Sequence, residues 1–237
     1  MTTEQAPLVF LVDIDNTLLD HDLLKKRLGA WVAGFPGGDV ELFWRMYEEV
    51  REETGIVDLF ETSRRYGDAL EQAHLIERMQ ADLWGFPLAD LVYPATADAL
   101  RHLETLGLLV VLCDGHEPYQ RHKLEVSGLA PFFGGRILVF DHKETYVPEI
   151  VSRYPAEHYV MLDDRPRIHD AMRRHLGLGV TTVLVRQGTH GQAPHDPRLV
   201  APDITVTGLE ELSRFSSEEL RASARALDTV DSRRVRA

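Results

Sequence analysis

The order of elements along the chain predicts an α/β fold: a mainly parallel sheet flanked by helices and interrupted once by an all-helical insertion. Three observations carry that prediction. Leu8 to Val12 is a continuous apolar run with β-branched members, the pattern of a strand buried on both faces of a parallel sheet. From Tyr93 onward, short apolar runs alternate with amphipathic helical stretches, as in successive βαβ units. Between the two, residues 20–91 contain nothing that alternates like a strand.

The first run ends in Asp13-Ile14-Asp15. Side chains of an extended segment alternate faces, so Asp13 and Asp15 point to one side just past the strand's carboxyl end, where open α/β sheets bind ligands. Two acids this close raise one another's pKa unless a cation or a shared proton intervenes. The pair therefore points to a metal or to a division of acid and base roles, with a solvated turn as the alternative for the motif alone.

Leu24, Leu28 and Trp31 predict a helix over residues 22–32, which Gly34-Phe35-Pro36-Gly37-Gly38 breaks. Asp39 is placed to N-cap the next helix, whose stripe of Leu42, Phe43, Met46, Tyr47 and Val50 lies opposite Glu48, Glu49, Arg51, Glu52 and Glu53. Gly55 ends it. Helices over 58–66 and 68–84 follow, the second with Leu75, Met79 and Leu83 in register. Beyond Tyr93, helices are expected over 96–106, 118–127, 144–154 and 166–176, and strands over 108–113, 136–140, 159–162 and 180–185, with 204–206 as a last, edge strand. From Ser216 the chain is polar, with little apolar periodicity after Leu227, and reads as a frayed tail. The expected division is a core of residues 1–19 and 92–215, a helical subdomain of 20–91 and a tail of 216–237.

At 237 residues the chain can bury a sizeable core, and its 44% hydrophobic and 27% charged fractions are those of a globular protein. No run approaches the roughly 18 apolar residues of a transmembrane helix, and Met1 to Pro7 lacks a charged region followed by an apolar one. A single cysteine fits a reducing compartment, so a cytoplasmic location is expected, with no membrane partner. A formal charge of −12 argues against a nucleic-acid partner and requires any phosphate site to be built from local cations.

Asp13, Cys113-Asp114, Lys143 and Asp163-Asp164 all follow the carboxyl ends of predicted strands, so a parallel sheet gathers them at one rim. Their order resembles that of the haloacid dehalogenase superfamily. Asp13-Ile14-Asp15-Asn16-Thr17 is similar to its first motif, D-x-D-x-T, and Gly107 to Gly115 to its second, with Cys113 in the position of a Ser or Thr. Lys143, in Val139-Phe140-Asp141-His142-Lys143-Glu144, falls at the lysine of the third. Tyr159 to Pro166, a strand ending in two acids, resembles the fourth, and the likeness spans roughly residues 8–212.

The resemblance implies a Rossmann-like core with an inserted helical cap of the C1 type, and a Mg²⁺-dependent phosphatase acting on a small phosphorylated metabolite. Asp13 would be the nucleophile and Asp15 the acid and then the base. Asp13, the main-chain carbonyl of Asp15, and Asp164 with Asp163 beside it would hold the metal. Lys143 would neutralise a phosphate oxygen, Thr17 would orient the first loop, and Cys113 with the N–H groups of Asp114 and Gly115 would contact phosphate. Many members carry a further acid four or five residues on; here Arg167, Ile168 and His169 occupy that region and Asp170 comes late.

The alternatives are a 2-haloacid dehalogenase, a phosphomutase, or a non-catalytic binding module. Halide leaves without a proton, so the second carboxylate, Asp15, argues against the first. Among the eleven histidines, His190 and His195 read as solvated loop residues, while His116 and His142 adjoin the second and third motifs and could line the site. Trp31, Phe35, Trp44 and Tyr47 read as cap core, and Arg64 and Arg65 as a solvated face or as a contact for a second anionic group of the substrate. A monomer or homodimer is expected.

Overall fold

The computed structural model describes residues 5–225. The first strand, β1 (Ala6–Val12), lies inside the sheet because both its faces are apolar: Leu8, Phe10 and Val12 pack into one core cluster, Val9 and Leu11 into the other. After it come α1 (His21–Ala33), α2 (Val40–Thr54), α3 (Leu59–Ala69) and α4 (Ala73–Trp84), with a 3₁₀ turn at Leu88–Leu91. The remainder alternates: α5 (Thr96–Leu106), β2 (Leu108–Asp114), α6 (Glu117–Val126), α7 (Ala130–Phe133), β3 (Ile137–Phe140), α8 (Val147–Arg153), β4 (Ala156–Asp163), α9 (Pro166–Leu176), β5 (Val180–Val185), α10 (Gly188–Gln192), β6 (Ile204–Val206) and α11 (Ser217–Ala222).

The strands form one six-stranded sheet in the order β3-β2-β1-β4-β5-β6, with every pair parallel. As expected, β6 is an edge. The chain steps from β1 outward through β2 and β3, then returns to the other side of β1 for β4. The strand order therefore reverses at β1, and the crevice beyond the carboxyl ends of β1, β2 and β4 is the topological switch point.

The helical block leaves and rejoins the core through paired strands of chain. Leu19 forms an antiparallel bridge with Val92, the Asp20 N–H donates to the Leu91 carbonyl at 2.7 Å, and the Tyr93 N–H to Leu18 at 3.0 Å. The block has a small core of its own, in which Val32, Phe43, Tyr66, Leu75 and Met79 are buried together. Trp31, Phe35 and Trp44 pack around it, and Tyr47 reaches the main core. Each of its first three helices begins with an aspartate whose carboxylate accepts a backbone N–H: Asp20, Asp39 and Asp58.

Two expectations are corrected. The break placed between Tyr66 and Asp68 lies further on, at Leu70 to Gln72, because Gly67 is not a stop but a packing position. And the polar stretch from Ser216 is ordered as far as Arg225. Ser216 and Glu219 form a capping box, Leu220 is buried, Thr181 Oγ1 donates to the Leu220 carbonyl at 2.6 Å, and the Arg225 N–H to Asp203 at 3.0 Å. Residues 226–237 of the expected tail lie outside the described residues.

Gly67 sits inside α3 where α4 crosses so closely that a Cβ would stand 2.3 Å from Ile76 Cγ1. Gly67→Ala should therefore cost about 1–3 kcal/mol by overpacking, measured by urea unfolding. In an Ile76→Ala background, which removes the opposing carbon, the cost should shrink by more than half. Additive losses would show that the contact is not what excludes a side chain there.

Candidate active site

The Asp13 N–H donates to the Leu162 carbonyl at 3.0 Å, extending the β1–β4 pairing by one residue and fixing the first carboxylate over the sheet's rim. Lys143 comes from the 3₁₀ turn that follows β3, and its own N–H is anchored on Asp114 Oδ1 at 2.8 Å. From there its ammonium, with 0% exposure, reaches Asp13 at 2.5 Å, Asp163 at 2.6 Å and the Leu112 carbonyl at 3.0 Å. Thr17 Oγ1 donates to the other Asp13 oxygen at 3.3 Å. Arg165, directly after the acid pair, lies across the rim: its guanidinium is 3.1 Å from Asp114, 3.8 Å from Asp163, 3.9 Å from Asp13 and 4.0 Å from Asp164.

Burial works against the Lys143 ammonium, but Asp13 and Asp163 outweigh it and hold its pKa above the ordinary lysine value. Burial would also raise Asp163, yet Lys143 and Arg165 bring it down to about 2. Asp13 is pushed up to about 6, by burial first and by the Asp163 charge against the pull of Lys143. Asp164 is pushed up to about 9 by burial and by the charges of Asp163 and Asp13.

Asp13, Asp163 and Asp164 each offer a carboxylate oxygen within 4.8 Å of the others. Asp164 Oδ2 is buried without a hydrogen-bond partner. Three hard oxygen donors, one of them unsatisfied, in a group with more acids than the two cations beside it, fit a divalent metal ion. The Asp15 carboxylate stands outside this trio, so only its main-chain carbonyl would be offered to a metal. His169 fills the region where a further acid would follow: it is buried and donates from Nε2 to the Asp163 carbonyl at 3.0 Å, while Asp170 turns away to Arg174 and the Val200 N–H.

Asp15 belongs to a second charged node. Lys123 Nζ sits 2.7 and 2.8 Å from its two oxygens, Gln120 Nε2 donates to it at 3.2 Å, and His21 Nδ1 lies 3.5 Å away. Against burial, Lys123 and His21 hold its carboxyl well below the usual range. Neither Lys123 nor Gln120 was expected from sequence. The signal was present in α6, where Tyr119, Gln120, Lys123 and Leu124 share one buried stripe: a lysine and an amide on an apolar face need partners. Arg165 could have been read from its place beside two acids.

The second-motif residues depart from their expected roles. The Cys113 thiol is turned into the core, 3.9 Å from the Leu138 carbonyl, and burial followed by the Asp13 charge pushes its pKa well up. The Gly115 N–H, expected to face phosphate, is spent on the Phe140 carbonyl at 3.0 Å. Gly115 has φ +134°, and a Cβ there would meet Gln120 Nε2 at 2.7 Å, so its role is to seat the glutamine that reaches Asp15. Asp114 contributes its carboxylate, which ties Lys143 to Arg165.

A cavity of about 680 Å³ opens between the helical block and this rim, with Asp15, Tyr47, Asp164 and Arg165 in its walls. His142 and His190 also line it. His116 instead packs 5.3 Å from Phe60, and His195 is exposed. Arg64 and Arg65, considered for a second anion, are engaged by Glu61, Asp68 and Glu53 of the helical block itself.

The sequence pattern of the haloacid dehalogenase-like hydrolases matches residues 8–174, more than half the chain. The chain belongs to that family. A protein described as a haloacid dehalogenase-like hydrolase, from Burkholderia xenovorans LB400, shares 35% identity over 88% of this chain and 98% of its own, with a TM-score of 0.81. The HAD-hydrolase YfnB from Bacillus subtilis, bound to magnesium, is similar in fold at 20% identity, covering 90% of this chain and 100% of its own, TM-score 0.60. So is the L-2-haloacid dehalogenase of Xanthobacter autotrophicus with chloropropionic acid covalently bound, at 19% identity, 89% and 98% coverage, TM-score 0.57. No curated protein matches the sequence. The candidate site sits where the strand order reverses. No helix among the described residues is long and apolar enough to cross a membrane.

The raised Asp164 carboxyl makes stability depend on pH in a definite direction. A carboxyl with a pKa near 9 in the folded protein and about 4 in the unfolded chain favours folding below about pH 4 and loses that contribution as pH rises towards 9. In cation-free buffer, wild type and Asp164→Asn should therefore have similar stability at pH 4, and the wild type should fall progressively below the variant up to pH 9. Denaturant unfolding across that range checks it; parallel curves would mean Asp164 is ionised throughout.

Proposed function

We propose that this hydrolase cleaves phosphoric monoesters of a small metabolite with the help of Mg²⁺, through an aspartyl-phosphate on Asp13. The observation that carries the reading is the buried trio of Asp13, Asp163 and Asp164, with its unpartnered oxygen, beside Lys143. Displacing a halide from carbon needs a carboxylate nucleophile but not two further buried acids, whereas phosphoryl transfer requires a cation to offset the charge on the phosphoryl oxygens. Asp13, Asp163 and Asp164, with the carbonyl of Asp15, would hold that ion. When bound, Mg²⁺ supplies charge neutralisation at the phosphoryl group.

The residues of the chain divide the remaining work. An Asp13 oxygen attacks phosphorus as the bond to the leaving oxygen breaks, and that oxygen takes a proton from Asp15; water then attacks the phosphorus, gives a proton to Asp15, and releases Asp13 and inorganic phosphate. Lys143 neutralises Asp13 and a phosphoryl oxygen. Lys123 holds Asp15 as a carboxylate, which suits the water-activating half and hinders the proton-donating half. The helical block of residues 20–91 serves as a cap of the C1 type that excludes water. The single cysteine supports a cytoplasmic location, and a monomer or homodimer suffices for a site built within one chain.

A second reading, 2-haloacid dehalogenase, draws on the fold likeness to the Xanthobacter enzyme. One assay separates the two. Purified protein should release phosphate from p-nitrophenyl phosphate and from alkyl phosphates only with Mg²⁺, faster from the aryl ester because its leaving group needs no proton, and Asp13→Asn should lower turnover by about a thousandfold or more. Chloride release from 2-chloropropionate without Mg²⁺, and no phosphate release with it, would replace this reading by the second.

A further inference from the structure

Beside the carboxylate rim the helical block and the core share another pocket, of about 330 Å³, whose walls include Arg51 of α2, Arg165 and Arg167 at the start of α9, His190 of α10, and Asp196. Arg51, Arg165, Arg167 and His190 also line the larger cavity that reaches Asp15 and Asp164, so the two spaces adjoin along these residues. We propose that this pocket is the subsite for a second anionic group, a carboxylate or phosphate, on the substrate; the proposal rests on the phosphatase reading and narrows its substrate class to metabolites with two anionic ends.

Three arginines line the pocket in a chain whose formal charge is −12. Arg51 is paired with Glu48 at 2.6 Å and Arg167 with Glu144, while Arg165 is shared among Asp114, Asp163, Asp13 and Asp164. A guanidinium has five donors in a planar fork and one carboxylate engages at most two or three of them, so Arg51 and Arg167 keep donors for a ligand. The acid in the wall, Asp196, is itself taken by Arg198 at 2.6 Å and does not offset the three. His190 senses the same field: burial, then Arg165 and Arg167, lower its pKa, so it lines the pocket as a neutral imidazole.

The pocket also joins both halves of the protein. Arg51 comes from the cap side, while Arg165 and Arg167 come from the loop that presents the acid pair. A substrate with its phosphoryl group over Asp13 and its second anion here would bridge the two, and its binding energy would hold the cap over the rim. A monoanionic ester lacks that grip. Arg64 and Arg65, on α3, are tied to Glu61, Asp68 and Glu53 of the helical block and do not line this pocket.

The test uses non-hydrolysable probes, so it does not depend on turnover. Binding of phosphonoacetate, 3-phosphonopropionate and 4-phosphonobutyrate to the full chain with Mg²⁺ is compared by calorimetry with alkylphosphonates of matching length. For at least one length the carboxylate should tighten binding by about tenfold or more. Arg51→Gln should cut that advantage to about twofold or less while leaving alkylphosphonate binding and p-nitrophenyl phosphate turnover unchanged, and Arg167→Gln, from the opposite wall, should do the same. Two variants on different elements keep the test decisive if one misfolds. Alkylphosphonate binding with no gain from the carboxylate at any length, or a gain that survives both substitutions, overturns the subsite alone. No phosphonate binding together with no phosphate release overturns the phosphatase reading and the subsite with it.

Discussion

One buried ammonium ties the working end of this sheet together. Lys143, reached from the turn after β3, contacts Asp13 beyond β1, the Leu112 carbonyl in β2 and Asp163 at the end of β4. Four neighbouring strands are thereby joined at their carboxyl ends by a single charge. An ammonium with no exposure to water is costly unless every proton finds an acceptor, and here three acceptors stand within hydrogen-bonding distance. Removing Lys143 leaves two carboxylates facing each other in the core, whereas removing either aspartate leaves the ammonium one carboxylate, so the pairing depends most on the lysine. The pairing also fixes the acid count at the rim: with Lys143 committed to Asp13 and Asp163, Asp164 has only Arg165 at 4.0 Å, a cation it shares with Asp114, Asp163 and Asp13.

The second node is separate, and the separation has a mechanistic meaning. Asp15 is only two residues from Asp13, yet its partners come from α6 and from the start of α1 rather than from the metal-fitting trio. A nucleophile must stay bare toward the substrate, whereas an acid–base group must be aimed and have its proton affinity set by neighbours. Distinct sets of cations allow the two carboxylates to differ. The cap takes part as well, since His21 in α1 touches Asp15, and Asp22 accepts both the N–H and the hydroxyl of Thr189 in the core at 2.8 and 2.7 Å.

Much of this was legible before any coordinates, and the reasons are physical. A doubly buried parallel strand must be apolar throughout, so β1, β2 and β5 announce themselves; the acids that break the runs mark the rim because a sheet gathers its strand ends. Lys143 was found through the order of motifs rather than through its own surroundings, which are polar loop. The parts that escaped depend on contacts far apart in sequence: Lys123 meets Asp15 across 108 positions, and nothing near Asp15 records it. Short elements also escaped, among them α7, α10 and the turn at Leu209–Arg214, because a single helical turn carries too little periodicity to read. The order of residues 216–225 rests on one buried leucine, one capping box and hydrogen bonds to the distant Thr181 and Asp203, none of which leaves a visible pattern.

The charge balance of this strongly acidic chain is compatible with the proposed site for anions. At distances beyond the roughly 8 Å screening length of physiological salt, the net charge of −12 is largely masked and neither attracts nor repels a metabolite strongly. Inside the cleft, screening is weaker because the walls are of low polarisability, so individual groups dominate. Several of its acids are already answered: Asp15 by Lys123, Asp13 and Asp163 by Lys143, Asp114 by Arg165, Asp196 by Arg198. What an incoming anion meets is the surplus of donors on those cations and on Arg51 and Arg167, held in place by the very carboxylates that neutralise them. Acidic residues at such a rim do not oppose anion binding; they fix the arginines and lysines in the geometry that makes it selective.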